Sequence, residues 1–428
     1  MALSLLVSLV AVLVTGIPVG IGLALVGVSL GYFSIGEASL LGLPSSLFAG
    51  TTSFLLIAIP LFILMSEVLR RGGITELLFD TVTHWVGHLP GGLAVSAVLT
   101  SAIGASITGS SVANAASMAI VAVPAMLERG YERKFTYGLI AASGTLGIMI
   151  PPSIPLLLYG EITEESIGTL FIAGIVPGLL LTAMLVIYAV VHSSLGGVYK
   201  PMPKKSWEET LRYTARSMPA LMLPVVVVGG IYSGVFTPTE AAAVGVTYAL
   251  FISIFVYRSV GFPELRLAFM DAFLTSAMIL MIIAGSNVLG SVVTKLQLSQ
   301  DLLTFVQELG LSPMGFVIAT MLLLFVLGMI LEVISIIFIV LPLLHPIILA
   351  LGLDPIWYAM IFTLNMEIAL ISPPVGMVLY VMTGILRRPI TELIRGIIPF
   401  VLVLMACLAI LITFPSISLW LPSVLGTK

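Results

Sequence analysis

The sequence predicts an all-α polytopic membrane protein built from two inverted-topology repeats. Three observations predict it: an apolar composition, two proline pairs at a constant spacing, and an uneven distribution of basic residues. Of the 428 residues, 59% are hydrophobic and only 9% are charged, and the mean hydropathy is +1.22. Because a soluble core of this size does not need such a composition, helices that cross a bilayer are expected.

Each proline pair lies inside an apolar segment that is long enough to cross a membrane. Pro151-Pro152 interrupts the segment 135–160, and Pro373-Pro374 interrupts the segment 356–382. Two adjacent prolines remove two backbone donors and clash with the preceding turn, so an α-helix cannot continue unbroken. A broken helix is tolerated in a membrane where the gap lines a cavity or binds an ion. The simpler interpretation of one such motif alone is a kink packed against neighbouring helices.

The two proline pairs belong to an internal repeat. A shift of 222 positions relates Pro124 to Pro346, Pro151-Pro152 to Pro373-Pro374, Gly174 to Gly396, and Pro177 to Pro399. Interrupted helices in corresponding places of two halves are the best sequence indication of a transporter binding site. We therefore divide the chain into a first repeat, 1–192, a linker, 193–217, and a second repeat, 218–428.

The first repeat contains the most informative segment, residues 91–127, which is apolar at both ends and small and polar in the middle. Basic residues flank both ends, and Lys and Arg favour the cytoplasmic side. The segment is therefore predicted to form a re-entrant helical hairpin with its tip near Thr108 to Asn114. The elements expected in this repeat are spans at 2–15, 19–35 and 50–69, an interfacial amphipathic helix at 72–90, the hairpin at 91–127, the broken helix at 135–160 and a closing span at 168–192.

The linker is expected in the cytoplasm because it carries Lys200, Lys204, Lys205, Arg212 and Arg216. Acidic residues flank the second hairpin, which is therefore predicted to enter from outside. The second repeat is expected to contain spans at 218–235 and 240–257, an interfacial piece, a span at 270–294, a hairpin at 313–350, the broken helix at 356–382 and a closing span at 397–421. This arrangement places both termini on the side opposite the cytoplasm. Of the 17 Lys and Arg residues, only Lys295 and Lys428 then lie outside the cytoplasm.

A hairpin tip beside a broken helix exposes helix ends that bind ions of both signs. Helix N-termini suit a carboxylate, and exposed carbonyls suit a dehydrated Na⁺. Glu332 and Glu367 stand out because a carboxyl group at intramembrane depth is costly and indicates a functional site. The candidate Na⁺ ligands are Ser106, Thr108, Gly109, Asn114, Thr145, Gly147, Pro151, Gly328, Glu332, Glu367, Ser372 and Pro373. The candidate substrate-binding residues are Ser110, Ser111, Asn114, Ser153, Glu332, Ser335 and Asn365.

Other interpretations of these residues remain open. Ser, Thr and Asn side chains also join packed helices by hydrogen bonds without binding any ligand. His84 and His88 have the i, i+4 spacing of a metal pair, but no third ligand is evident nearby. Glu67 and Glu240 lie closer to the predicted membrane boundaries and are expected to be ordinary boundary residues.

The sequence also resembles a known family over essentially its whole length. The run TGSSVANAASMAIVAVPAMLERGYERKFTYGLIAASGTLGIMIPPSIPLLLYG closely resembles the large, DctM-type membrane subunit of TRAP (tripartite ATP-independent periplasmic) transporters. The segments FTPTEAAAVGVTY and NMEIALISPPVGM are similar to the same family. The resemblance implies Na⁺-driven uptake of an organic acid, commonly a carboxylate or sialic acid, through an elevator motion in the bacterial inner membrane.

The resemblance also implies partners. A periplasmic substrate-binding protein is expected to deliver the organic acid, and a small membrane subunit is expected as a separate chain. Na⁺ is the expected coupling ion, and no organic cofactor is expected.

Three other functions are weighed against this one. A stand-alone Na⁺/dicarboxylate symporter of similar hairpin architecture would need neither partner. An ion channel is disfavoured because a site closed from both sides suits alternating access. A membrane enzyme is the least favoured, because the sequence shows no nucleophile–base set or metal triad, and no nucleic-acid signature is present.

Overall fold

The computed structural model describes residues 8, 15–49, 51–196, 199 and 202–426. Every regular element among these residues is helical. The α-helices are α1 (Val19–Ile35), α2 (Leu43–Ala49), α3 (Ala58–Arg71), α4 (Ile74–Val86), α5 (Gly92–Thr108), α6 (Ser111–Glu128), α7 (Arg133–Met149), α8 (Ile154–Thr163), α9 (Ile167–Gly196), α10 (Trp207–Tyr232), α11 (Pro238–Phe251), α12 (Phe262–Lys295), α13 (Leu298–Glu308), α14 (Pro313–Gly328), α15 (Val333–Ala350), α16 (Pro355–Leu370), α17 (Met377–Leu386), α18 (Ile390–Thr413) and α19 (Ser416–Val424).

The predicted all-α membrane fold class is confirmed. Among the described residues, 8 helical stretches are long and apolar enough to cross a membrane. In the first half, α5 and α6 form a helical hairpin, and α7 and α8 are the two parts of the first broken helix. In the second half, α14 and α15 form the second hairpin, and α16 and α17 form the second broken helix. The elements thus occur in the same order in both halves.

Several helix bounds differ from those predicted. The expected interfacial piece and span at 270–294 are one continuous helix, α12, because Pro263 occupies its first turn and no proline follows within it. The linker is partly helical, because α10, which Ser206 caps, begins at Trp207, eleven residues before the span predicted at 218. The closing span predicted at 397–421 is interrupted between α18 and α19, where Pro415 follows Phe414. The span predicted at 2–15 lies almost entirely outside the described residues.

The two broken helices form the centre of the molecule. Nearly every residue of α7 and α16 is buried, and the two helices pack against each other. Each hairpin also contacts the other repeat, since α6 packs on α17 and α15 packs on α8. The two halves therefore form one interlocked core.

A second group of helices lies beside this core. The long helix α12 packs along α1 and α3. Its close approach to α1 requires glycine, because a Cβ at Gly20 would lie 2.4 Å from the carbonyl oxygen of Met281. The opposite face of α12 exposes apolar side chains such as Phe269 and Phe273, at 49% and 68%. Apolar exposure of this extent is expected for a face in contact with lipid.

Candidate substrate and ion site

The tip of the first hairpin is a two-residue turn. The helix α5 ends in Gly109, whose φ of +57° is a left-handed conformation that glycine adopts readily. The next helix begins after Ser110, whose side-chain oxygen accepts a hydrogen bond from the backbone N–H of Ala113 at 3.5 Å. A glycine that ends one helix and a serine that caps the next thus reverse the chain within the protein interior.

This tip contacts the break in the first broken helix, residues 150–153. The Ser111 hydroxyl donates to the carbonyl of Thr145 at 2.7 Å, and the backbone N–H of Ile154 donates to the carbonyl of Gly109 at 3.5 Å. Gly147 permits this approach, because a Cβ there would lie 2.7 Å from the carbonyl carbon of Ser110. Tip and break are therefore held together by both packing and hydrogen bonds.

The break presents helix ends of opposite polarity. The helix α7 ends at Met149, leaving carbonyls without intrahelical partners, and α8 begins after Ser153. The Ser153 hydroxyl accepts from the backbone N–H of Leu156 at 3.4 Å and so caps α8. Such an arrangement offers a cation the carbonyls of one helix end and an anion the N–H groups of another.

Buried polar groups fix the helices behind the tip. The Asn114 amide donates to the carbonyls of Ser101 and Gly144 at 3.0 and 3.3 Å. The Ser106 hydroxyl donates to the carbonyl of Ile103 at 2.7 Å. Because these side chains donate their hydrogens to backbone carbonyls, their own oxygen lone pairs remain available to a cation.

The second repeat has the same relationship between its tip and its break. The tip comprises residues 329–332, and the break comprises residues 371–376. The backbone N–H of Gly376 donates to the carbonyl of Met329 at 3.4 Å, as Ile154 does to Gly109 in the first repeat. Gly328 lies against α16, where a Cβ would be 2.6 Å from the Cβ of Ala369.

A cavity of about 310 Å³ brings the two tips together. From the first hairpin it is lined by the predicted residues Thr108, Gly109, Ser110 and Ser111, and from the second by Glu332. Glu332 is the residue before α15, but its side chain does not cap that helix. The cavity wall is completed by α3, α12 and the start of α17. Hydroxyl groups, a helix N-terminus and a carboxyl group therefore face the same cavity.

A second cavity of about 470 Å³ lies on the other side of Glu332. Its lining is largely apolar and comes from the start of α1, from α12 and from the second hairpin. Ser335 contributes the hydroxyl group of this wall, and that oxygen is buried without a hydrogen-bond partner. Glu332 thus belongs to both cavities.

Glu367 is the most enclosed carboxyl group of the site, with no exposed surface. One of its oxygens, Oε2, lies 3.5 Å from the Thr145 hydroxyl, whose hydrogen is shared with the carbonyl of Ala142 at 2.7 Å. The other, Oε1, is buried and has no partner. A buried carboxyl oxygen without a partner is costly unless a cation or a proton compensates it.

The other predicted residues line neither cavity, and all of them are buried except Pro373, which is exposed. The Asn365 amide donates to the carbonyl of Met321 at 2.8 Å, and the Ser372 hydroxyl donates to the carbonyl of Ile368 at 2.7 Å. The predicted residues that line neither of these two cavities are Ser106, Asn114, Thr145, Gly147, Pro151, Ser153, Gly328, Asn365, Glu367, Ser372 and Pro373.

Arg70, Glu67 and Ser66 of α3 line the first cavity although the sequence analysis did not assign them to it. Arg70 is one of the basic residues that flank the first hairpin and indicate the cytoplasmic side, and Glu67 is a residue expected to lie at an ordinary membrane boundary. The two side chains form an ion pair, with 2.5 Å between Arg70 Nη2 and Glu67 Oε2. Nothing in the local sequence indicates that α3 packs beside a hairpin tip more than 35 residues away.

The histidine pair shows no metal-site geometry. His84 stacks on Tyr213 with 3.9 Å between ring centroids, and its Nδ1 lies 2.7 Å from the carbonyl of Asp80. Among the described residues, no group of three or more His, Cys, Asp or Glu is placed to hold a metal ion.

Comparison with known proteins agrees with this architecture. A C4-dicarboxylate TRAP transporter large permease of Pseudomonas aeruginosa is 38% identical over 390 residues, covering 91% of each chain. A sialic acid TRAP transporter large permease of Vibrio cholerae is 33% identical and covers 96% of each chain. The crystal structure of the Alcanivorax borkumensis YdaH transporter has the same fold with a TM-score of 0.63, 13% identity, and coverage of 90% of this chain and 89% of that one.

The family assignment rests on nearly the whole chain. Residues 6–417 match the family described as the tripartite ATP-independent periplasmic transporter, DctM component. The matched region includes both hairpins and both broken helices, which form the candidate site. The chain therefore belongs to the DctM component family of TRAP transporters and is an integral membrane protein.

Proposed function

We propose that this chain is the large permease subunit of a Na⁺-coupled transporter that imports an organic acid across the bacterial inner membrane. The observation that carries the proposal is the first cavity, which lies between both hairpin tips. Residues next to both helix breaks, Ile154 and Met377, also line it. A carboxylate or similar acid would bind there, and Na⁺ would bind at the tips and breaks. The relatives named for a C4-dicarboxylate and for sialic acid support this substrate class.

The chemistry of the breaks supports Na⁺ as the coupling ion. The carbonyls at the end of α7 and the hydroxyl and amide oxygens of Ser106, Thr108 and Asn114 are neutral ligands. Neutral oxygens suit a monovalent cation, because they compensate its charge without burying further ionised groups. Glu332 and Glu367 would supply the negative charge in the second repeat. Na⁺ binding that fixes a tip on its break would couple ion binding to the shape of the substrate cavity.

The arrangement of the hairpins supports alternating access by an elevator motion. The site lies between the interlocked core and the helices α3 and α12. In our proposal the core, with the hairpins and broken helices, moves against these helices and carries the acid with it. A periplasmic binding protein would deliver the acid, and a small membrane subunit would complete the membrane complex.

Uptake by proteoliposomes tests this function. The chain is reconstituted with its small membrane subunit, and succinate, N-acetylneuraminate and pyruvate are offered with candidate periplasmic binding proteins. We expect uptake of one acid only with an inward Na⁺ gradient and only with a matching binding protein. Replacing external Na⁺ by K⁺ should abolish it.

The same assay distinguishes the alternatives. Na⁺-driven uptake by the chain alone would support a stand-alone symporter instead. Ionic current through the reconstituted protein without any acid would support a channel. Uptake driven by a pH gradient in the absence of Na⁺ would replace Na⁺ coupling by proton coupling.

A further inference from the structure

We propose that, in the conformation of this structure, Arg70 of α3 binds an acidic group of the transported substrate inside the first cavity, a contact that the movement of the core along α3 makes or breaks. The inference rests on the proposed function and adds to it the cationic partner of the organic acid. Apart from Arg70, the polar groups that line the first cavity are hydroxyl groups, a helix N-terminus and two acidic side chains. Arg70 is the only basic residue among those that line it.

The side chain of Arg70 is available to a ligand. It is 33% exposed, and both its Nε and its Nη2 contact the same oxygen, Oε2 of Glu67, at 3.1 and 2.5 Å. Nη2 also lies 3.6 Å from Oδ2 of Asp271. These contacts involve Nε and Nη2 and leave Nη1 of the guanidinium group, which carries five N–H donors in all, to a ligand. An arginine edge matches the two oxygens of a carboxylate, so the group can hold an acid in a defined orientation.

Release of Arg70 from Glu67 would not leave Glu67 without a cation. Arg71 Nε lies 3.8 Å from the same Glu67 oxygen. Arg71 also donates to Asp271 of α12, which fixes its position between α3 and α12. Leaving a partly buried charge unpaired is strongly unfavourable, and a shared partner avoids that cost. The network thus permits Arg70 to exchange Glu67 for a substrate carboxylate.

The opposite wall of the cavity complements the same charge. The first turn of α6, from Ser111 to Ala113, faces the cavity. The N–H of Ala113 donates to Ser110, whereas those of Ser111 and Val112 lack intrahelical acceptors at this end of the helix. Apolar side chains such as Ile63 and Ile279 occupy the wall between these groups. An acid bridging Arg70 and α6 would be held in a largely apolar enclosure, where charge-assisted hydrogen bonds are strong. A Na⁺ ion bound at Glu332 would offset the negative charge of that carboxyl group.

Direct binding of the acid tests the role of Arg70. The membrane complex is purified with wild-type, Arg70→Gln or Arg70→Lys large subunit. Binding of the radiolabelled acid that the wild type transports is then measured in Na⁺ without the binding protein, which would otherwise set the apparent affinity. Arg70→Gln should weaken binding by roughly tenfold or more, as expected for loss of a charge-assisted hydrogen bond. Arg70→Lys keeps the charge but loses the planar edge, so its affinity should be intermediate.

A matched control separates charge from position. Arg266→Gln removes one positive charge from an exposed residue of α12 outside the cavity and should bind the acid as the wild type does. The melting temperature of Arg70→Gln should remain near that of the wild type, because its ion pair with Glu67 is partly exposed. Unchanged affinity in Arg70→Gln would overturn the inference and leave the transport function intact. If the wild type transports none of the acids, the proposed function fails, and this inference fails with it.

Discussion

Thr145 and Glu367 occupy equivalent positions of the two repeats, and their side chains meet at the centre of the protein. The hydroxyl of Thr145 lies 2.7 Å from the carbonyl oxygen of Ala142 and 3.5 Å from Oε2 of Glu367, so its one hydrogen is shared between the two. Thr145 and Glu367 are 222 positions apart, which is the period of the repeat. Thr145 lies one turn before the first break, and Glu367 lies one turn before the second. The pair therefore directly connects the two helices that lead into the breaks.

The first prediction concerns this pair and Na⁺. Thr145→Val preserves the shape of the side chain and removes its hydroxyl, while Glu367→Gln removes the charge. A hydrogen bond to a charged group contributes roughly 1.5–3 kcal/mol, so either variant should raise the Na⁺ concentration for half-maximal uptake about tenfold or more. In the double variant the Na⁺ concentration for half-maximal uptake should rise by less than the product of the two single increases, because both substitutions remove the same interaction.

The control for this prediction is Thr136→Val on the same helix. The Thr136 hydroxyl is buried without a hydrogen-bond partner, so its loss should leave Na⁺ dependence unchanged. Na⁺ titrations of uptake for all four variants provide the measurement. Strictly multiplicative effects of Thr145→Val and Glu367→Gln would show that the two side chains act independently.

The second prediction concerns the orientation of the two halves. Lys204 and Gln307 are exposed residues that the charge distribution places on opposite sides of the membrane. A membrane-impermeant maleimide should label Lys204→Cys only from the cytoplasmic side and Gln307→Cys only from the periplasmic side. The native Cys407 is buried and gives little background. Labelling of both positions from the same side would contradict the inverted repeat.

The third prediction concerns pH and the connection between α8 and α9. Burial raises the pKa of Glu165 above its ordinary value, and the negative charge of Asp354 raises it further. The folded state therefore holds a proton that the unfolded state has lost at pH values between the two pKa values. The resulting stabilisation is full below the ordinary pKa and is lost as the pH rises through the raised one.

Glu165→Gln should remove this pH dependence. At pH 7 the variant should melt at a slightly higher temperature than the wild type, and near pH 4, about the ordinary pKa of glutamate, the difference should disappear. Glu161→Gln, at the same end of the molecule, is the control for losing one negative charge. Thermal unfolding of the purified complex between pH 4 and 8 provides the measurement. A Glu165→Gln variant less stable than the wild type at pH 7 would refute the argument.

Much of the fold could be predicted because it depends on local sequence signals. Proline pairs mark the two breaks, and a small polar segment marks the first tip, where Gly109 and Ser110 reverse the chain. The two halves share these signals, so each supports the interpretation of the other. The bounds of α12 were less predictable, because charged residues near a membrane boundary do not interrupt a helix that lacks a breaker.

The composition of the site was harder to predict because it depends on tertiary packing. Hydrogen bonding to nearby helices places Asn365 behind the cavity, whereas packing of α3 beside the first tip brings Arg70 into it. The contact between Thr145 and Glu367 had a usable signal, since the repeat period relates them directly. That relation indicates equivalence between two positions, but only packing across the pseudo-symmetric centre makes them neighbours.

The last prediction concerns the contact between the first tip and its break. Gly109 has a φ of +57°, and a Cβ there would lie 2.8 Å from the carbonyl oxygen of Pro152. Gly352, between α15 and α16, has a similar φ of +67° but nothing within 4 Å of the same added atom. Alanine at either position carries the conformational cost of a left-handed residue, about 1–2 kcal/mol. Only Gly109→Ala must also displace the backbone of the break.

The two variants should therefore lose similar stability but differ in transport. Gly352→Ala should lower the melting temperature and retain Na⁺-driven uptake per folded molecule. Gly109→Ala should lose most uptake, and Na⁺ should no longer raise its melting temperature, because the tip cannot close on the carbonyls that would bind the ion. Uptake and thermal unfolding with and without Na⁺ are measured on the same preparations. If Gly109→Ala transports as well as Gly352→Ala, the contact between tip and break has only a structural role, and the ion site must lie elsewhere.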